Sequence, residues 1–114
     1  MLKSVRFYPA LLTLVCAATL LANVGVAEAK PARCFTTDEG RFPCQFRATD
    51  SDGSFKITAR GKPTYILNIV GRDVAEGFVT VGKHNVSLPG HYRRSDTDRA
   101  CWVNDSTSAK ICAR

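Results

Sequence analysis

Cys34-Phe35-Thr36-Thr37-Asp38-Glu39-Gly40-Arg41-Phe42-Pro43-Cys44-Gln45-Phe46-Arg47-Ala48 is the stretch on which the fold turns. Phe42, Cys44, Phe46 and Ala48 alternate with Pro43, Gln45, Arg47 and Thr49, the period-2 pattern of a half-buried strand. Ahead of that strand, Asp38-Glu39-Gly40 reads as a three-residue hairpin loop, with Gly40 where such a loop needs a left-handed residue. Counting back from the loop sets Thr37 opposite Arg41, Thr36 opposite Phe42, Phe35 opposite Pro43 and Cys34 opposite Cys44. The hairpin is predicted to carry its own disulfide, Cys34–Cys44.

The other end of the chain reads the same way. Cys101-Trp102-Val103 and Lys110-Ile111-Cys112 flank a loop centred on Ser106-Thr107, which places Cys101 opposite Cys112. A long-range pairing of the four cysteines is the rival; it would close longer loops and clamp the chain ends more strongly.

Between the two hairpins, strand signals recur at short intervals, separated by Gly, Pro and Asp. Asp50-Ser51-Asp52-Gly53 reads as a turn. Phe55, Ile57 and Ala59 then alternate with Lys56, Thr58 and Arg60, and Gly61-Lys62-Pro63 ends that strand. Tyr65 to Val70 is the most apolar run and reads as a central strand covered on both faces. Gly71-Arg72-Asp73 begins a longer connection in which Val74-Ala75-Glu76 adds at most one helical turn. Phe78 to Val81 and Val86 to Leu88 flank a two-residue Gly82-Lys83 loop, Pro89-Gly90 is a type II turn pair, and His91 to Arg94 is extended. The prediction is an all-β fold: a small antiparallel barrel or two-layer sandwich of seven to eight short strands, stabilised by disulfides. Lys30 to Arg33 reads as a loose tail.

Residues 1–29 read as a secretory signal peptide: Lys3 and Arg6, an apolar Leu11–Leu21, and the small-x-small site Ala27-Glu28-Ala29. An uncleaved anchor and a lipoprotein Cys16 are the alternatives. The apolar run falls short of the ~20 residues of a membrane span, and Val15 precedes Cys16 where a lipoprotein site takes a small residue. Removal of the segment leaves residues 30–114 as a single β-domain and turns five cysteines into four, an even count that suits an exported disulfide protein. Lys3, Arg6 and Glu28 leave with it, so the net charge falls from +6 to +5. A core this small is marginal without covalent ties. The expected location is therefore secreted or periplasmic.

The cysteines lack the C-x₂-C and H-x₃₋₅-H spacings of a zinc site, so no metal is expected there. Asp50-Ser51-Asp52-Gly53 resembles a fragment of a calcium loop, but the twelfth position is Gly61, where that loop needs Glu. His84, His91 and Glu76 would have to share a cleft to do acid–base chemistry; both histidines follow turns, and there is no G-x-S-x-G elbow. No cofactor is expected, and the chain reads as a non-enzyme. The basic residues are dispersed, with Arg47, Lys56, Thr58 and Arg60 on outward positions that could form one stripe. That suits an acidic protein or a polyanionic cell-surface polymer. Aromatic and basic residues interleave only at His91-Tyr92-Arg93-Arg94, too little to indicate nucleic acid. Asn85-Val86-Ser87 and Asn104-Asp105-Ser106 are glycosylation sequons, relevant in a eukaryotic host.

Pro89 to Trp102 is the most unusual stretch. Tyr92, Arg93, Arg94 and Arg99 are the candidate binding residues, because Tyr and Arg dominate binding hot spots and guanidinium groups grip carboxylate or phosphate. Trp102, next to a disulfide cysteine, reads as core. Pro89-Gly90-His91-Tyr92, Trp102 and Cys112 run in an order similar to the layout of small exported bacterial lysozyme inhibitors, which are disulfide-tied antiparallel barrels. The pattern covers about 25 residues, Gly90 and Tyr92 are two apart instead of three, and Pro89 stands in place of Ser. The resemblance implies a barrel with an inhibitory loop. The reading of function is a non-enzymatic binding or inhibitor-like module of the periplasm or cell exterior. A secreted hydrolase of an anionic polymer and a structural envelope protein without a discrete site are the alternatives.

Overall fold

The structure, a computed structural model, describes residues 28–114. The expected leader up to residue 27, and Cys16 with it, lies outside the described residues. Nine strands follow one another: β1 (Lys30–Thr36), β2 (Gly40–Ala48), β3 (Phe55–Thr58), β4 (Thr64–Gly71), β5 (Val74–Val81), β6 (His84–Ser87), β7 (Tyr92–Arg94), β8 (Cys101–Asn104) and β9 (Lys110–Ala113). Eight of them close into an antiparallel barrel in the order β4-β3-β2-β1-β9-β8-β7-β5, sealed by the β4–β5 pair, and β6 is added outside the ring on β5. The fold is the barrel and not the sandwich, with one strand more than the sequence count.

Both local disulfides form, Cys34–Cys44 and Cys101–Cys112. The second sits at the expected register, Cys101 directly opposite Cys112. The first does not. The turn is Thr37-Asp38-Glu39, Thr36 pairs with Gly40, and Cys34 lies opposite Phe42. The register is shifted by two residues, and the bridge runs diagonally between side chains on one face, at a Cα separation of 5.9 Å. Gly40 still occupies the left-handed position, at φ 74°.

Three further expectations are corrected. Lys30 to Arg33 is no tail: it pairs with Pro43 to Phe46 as the first half of β1. Pro31 is tolerated there because the β9 side of β1 is hydrogen-bonded only from Arg33 onward, so among the described residues β1 has a single neighbour at that point. Tyr65–Val70 is covered on one face only, since a closed barrel has no outer layer; Tyr65 and Leu67 are buried while Val70 is exposed. Finally, Arg72-Asp73 is a tight turn with Asp73 at φ 57°, and Val74 to Glu76 is strand. Ring closure needs β5 long enough to reach both β4 and β7, and that requirement overrides the weak local helical signal.

The barrel interior holds Phe42, Phe55, Ile57, Tyr65, Leu67, Ala75, Tyr92, Trp102 and Ile111 together with the Cys34–Cys44 bridge. Cys101–Cys112 lies on the opposite, outer face, because Cys112 pairs with outward Phe35 while Trp102 and Ile111 point in. Buried polar groups tie the turns. Ser54 Oγ accepts the Ile69 amide at 2.8 Å. Asn104 donates to the Pro89 carbonyl and accepts from the Ser106 and Thr107 amides. The 49–54, 72–73 and 95–100 connections gather at one end of the barrel, and the remaining turns at the other.

Candidate functional site

Of the predicted residues, Tyr92 is core: it is 3% exposed and lies against Gly77. Burial holds its hydroxyl above the ordinary phenol range, partly offset by a hydrogen bond with Asn104. Arg93 and Arg94 are neighbours in β7, so their side chains leave opposite faces. Arg93 points outward and pairs with Asp105 at 3.5 Å. Arg94 is on the inward parity at the barrel end, over the Trp102 ring at 5.1 Å, and donates from Nε to the Arg99 carbonyl at 2.9 Å. Arg99 bridges Asp73 at 3.0 Å and Asp96 at 3.7 Å. Trp102 is core, as read. Strand alternation therefore divides the four residues among the interior, the outer wall and one barrel end.

A second set of cations converges on the outer wall of β9, β1, β2 and β3. The outward positions there are Lys110 and Cys112; Pro31, Arg33 and Phe35; Arg41, Pro43, Gln45 and Arg47; and Lys56 and Thr58. None is acidic. Arg47 and Lys56 face each other in register, an arrangement that costs stability in a sheet. Phe35 lies between Arg41 on β2 and Cys112 on β9. Around it, Arg33, Arg41, Pro43 and Lys110 line an open groove of about 720 Å³. Arg33, Arg41, Arg47, Lys56 and Lys110 make no ion pair among the described residues, whereas Arg114 at the groove end is held by Asp98 at 2.6 Å. From Arg41 to Arg47 the wall runs about 20 Å at 3.4 Å per residue.

The sequence pattern points to only part of this wall. Arg47 and Lys56 do meet, and Thr58 lies on the same face opposite Gln45, but Arg60 falls in the turn after β3. Arg33 joins the wall because Lys30 to Arg33 is strand and not tail. Lys110 carried a usable signal, since it stands two residues before Cys112 and so shares its outward face.

Two further acids accept backbone amides nearby. Asp50 Oδ1 accepts the Asp52 and Ser54 amides, and hydrogen bonding to Ser54 holds its carboxyl below the ordinary range. Asp105 is lowered chiefly by the His91 amide, at 2.9 Å. His84, opposite Val81, lies five strand positions beyond Glu76, which with His91 adjoins the paired Ala75 and Tyr92. That is about 17 Å, so the three do not share a cleft. Asn104 is 2% exposed and fully hydrogen-bonded, which makes its sequon a packing element; Asn85 is exposed.

The chain matches no known protein family, no curated protein and no solved structure.

Proposed function

We propose that this protein is a non-enzymatic binding module of an oxidising, extracytoplasmic space that holds a polyanionic cell-surface polymer against the outer wall of β9, β1, β2 and β3. The observation that carries the reading is the charge of that wall: among the described residues, its five cations have no carboxylate partner and none of its outward positions is acidic. The two disulfides support the compartment, since such bonds persist where thiols are not kept reduced. Cations spaced along ~20 Å of strand suit an extended ligand better than a compact one. Open charged surfaces attract through a field that salt screens over about 10 Å at 0.1 M.

The test is retention on immobilised dextran sulfate across a salt gradient. The double substitution Arg33→Glu/Arg41→Glu is expected to lower the eluting salt markedly with little change in melting temperature. Arg72→Glu, at one barrel end, is expected to leave elution nearly unchanged. Equal effects of the two would remove the wall as the site. Stronger retention on poly-glutamate than on dextran sulfate would shift the reading to an acidic protein partner.

A further inference from the structure

The barrel end where the 49–54, 72–73 and 95–100 connections meet is open. Behind the rim lies a cavity of about 440 Å³, within the ~300–1,000 Å³ common for small-molecule sites. An eight-stranded barrel has an interior just wide enough for its side chains or for one small ligand. Here the inward residues of this end do not fill it. Ala100 and Ala113 are small, and Gly53 and Gly71 add no side chain. The apolar wall is made by Phe46, Phe55, Ile69 and Trp102, with the Phe46 and Phe55 rings stacked at 5.0 Å and 27°.

Asp52, Arg72, Asp73 and Arg94 are the charged residues lining the cavity, and of these Arg94 is held over the aromatic wall in a defined orientation. Arg94 projects inward from the last residue of β7, its guanidinium over Trp102 and its Nε tied to the Arg99 carbonyl. Its two terminal nitrogens have no partner among the described residues. The rim charges do not supply one. Asp73 is engaged by Arg99 at 3.0 Å, Asp96 is fully exposed and lies 3.7 Å from Arg99, and Asp52 and Arg72 make no ion pair among the described residues. A guanidinium fixed at Nε presents its remaining N–H groups as a fork matched to a carboxylate.

We propose that this barrel end is a binding site for a small aromatic carboxylate, with the ring against Phe46 and Trp102 and the carboxylate on the outer edge of Arg94. Aromatic side chains favour a flat ring in offset or edge contact. Without the anion, the same ligand keeps only its apolar contacts. The site is independent of the outer-wall reading, because Arg94 and the cations of that wall lie on opposite faces of the sheet.

The protein's single tryptophan lines the cavity, so its fluorescence reports on occupancy. The test titrates 2-naphthoate and its uncharged analogue 2-naphthamide into the oxidised protein expressed from the full-length sequence. Naphthoate is expected to change Trp102 emission saturably and to bind roughly tenfold or more tighter than the amide. Arg94→Met is expected to abolish that preference while amide binding persists, and Arg94→Lys to restore only part of it. Arg93→Met, on the other face, is expected to keep the full preference. No saturable signal with naphthoate at about 1 mM, or equal binding of acid and amide by the unmodified protein, overturns the proposal whether or not the variants fold. Loss of the preference in Arg33→Glu/Arg41→Glu with retention in Arg94→Met would assign the anion to the outer wall and overturn it equally.

Discussion

Gly77 marks the tightest point of the core. It pairs with Leu67 across β4–β5, and a Cβ built on it would stand 2.5 Å from Cε1 of Tyr92. Tyr92 cannot retreat, because it is buried against Ala75 and Asn104 on its own neighbouring strands. Gly77→Ala is therefore expected to destabilise by about 1–3 kcal/mol, the usual cost of overpacking. Gly71→Ala is the control: its Cβ would meet nothing within 4 Å, and the change is expected to be neutral or slightly stabilising. Urea midpoints of the two variants check this, and equal midpoints would show that the barrel opens freely at Tyr92.

Asp98 is the residue through which pH acts on the chain terminus. Arg114 donates to both its carboxylate oxygens, at 3.2 and 2.6 Å, and that contact holds the carboxyl below the ordinary aspartate range. A lowered folded value means that the contribution is present above the unfolded pKa, near 3.9, and is lost as pH falls through the folded value. Asp98→Asn is expected to lower the melting temperature at neutral pH, with the difference from the parent shrinking below about pH 4. A difference that stays constant to pH 2 would mean that the amide disrupts the 95–100 loop by some other route. Salt should also reduce it, since both partners are solvent-exposed.

At the scale of elements, the two hairpins put their disulfides to different uses. Cys34–Cys44 lies inside the barrel among Phe42, Phe55 and Ile111, whereas Cys101–Cys112 lies outside, beneath Phe35. The bridges span 10 and 11 residues, for which chain entropy gives about 2.5–3 kcal/mol each. All four cysteines are buried, but only Cys34 and Cys44 pack within the barrel's core cluster, so Cys34→Ala/Cys44→Ala leaves its cavity in the core and is expected to cost more than Cys101→Ala/Cys112→Ala. Thermal melts of the two double variants decide the order. The reverse order would place the more important constraint at the C-terminal hairpin.

These hairpins also show what was legible in the sequence. Alternation, Gly40 and cysteine spacing sufficed for both bridges and for the hairpin strands apart from the first half of β1, because those signals are local. The register of β1–β2 was not legible, since a diagonal bridge and a direct one tolerate the same spacing. The candidate site was less legible still. Whether Arg33 shares a wall with Lys110 depends on β1 pairing with β9, across a separation of some 75 residues. Period 2 alone did, however, forbid Arg93 and Arg94 from sharing a face once β7 was a strand.

For the whole molecule, the manner of closure decides where it opens. β5 gives its outer edge to two strands in succession: Phe78 to Val81 pair with β6, and only Val74 and Ala75 pair with β7. Every other seam of the ring holds at least three residue pairs, and β1–β2 holds seven. The Leu88 amide to the Gly77 carbonyl continues the β5–β6 pairing, whereas beyond the ladder the β5–β7 seam is extended by the Arg94 amide to the Asp73 carbonyl. Neither disulfide crosses it, because each bridge lies within a single hairpin. Strand β6 adds no closure of its own: all four of its residues are exposed, and Val81 beside it is 58% exposed. Local opening follows the places with least burial and fewest bonds. Amides of β6 and of the β5–β7 seam are therefore expected to exchange with solvent hydrogen well before those of β1 and β2, while both disulfides remain intact. Hydrogen-exchange mass spectrometry resolves the two regions. Protection at β7 equal to that at β1–β2 would mean that the ring opens only as a unit, with the packing of Tyr92 against Gly77 holding the short seam shut.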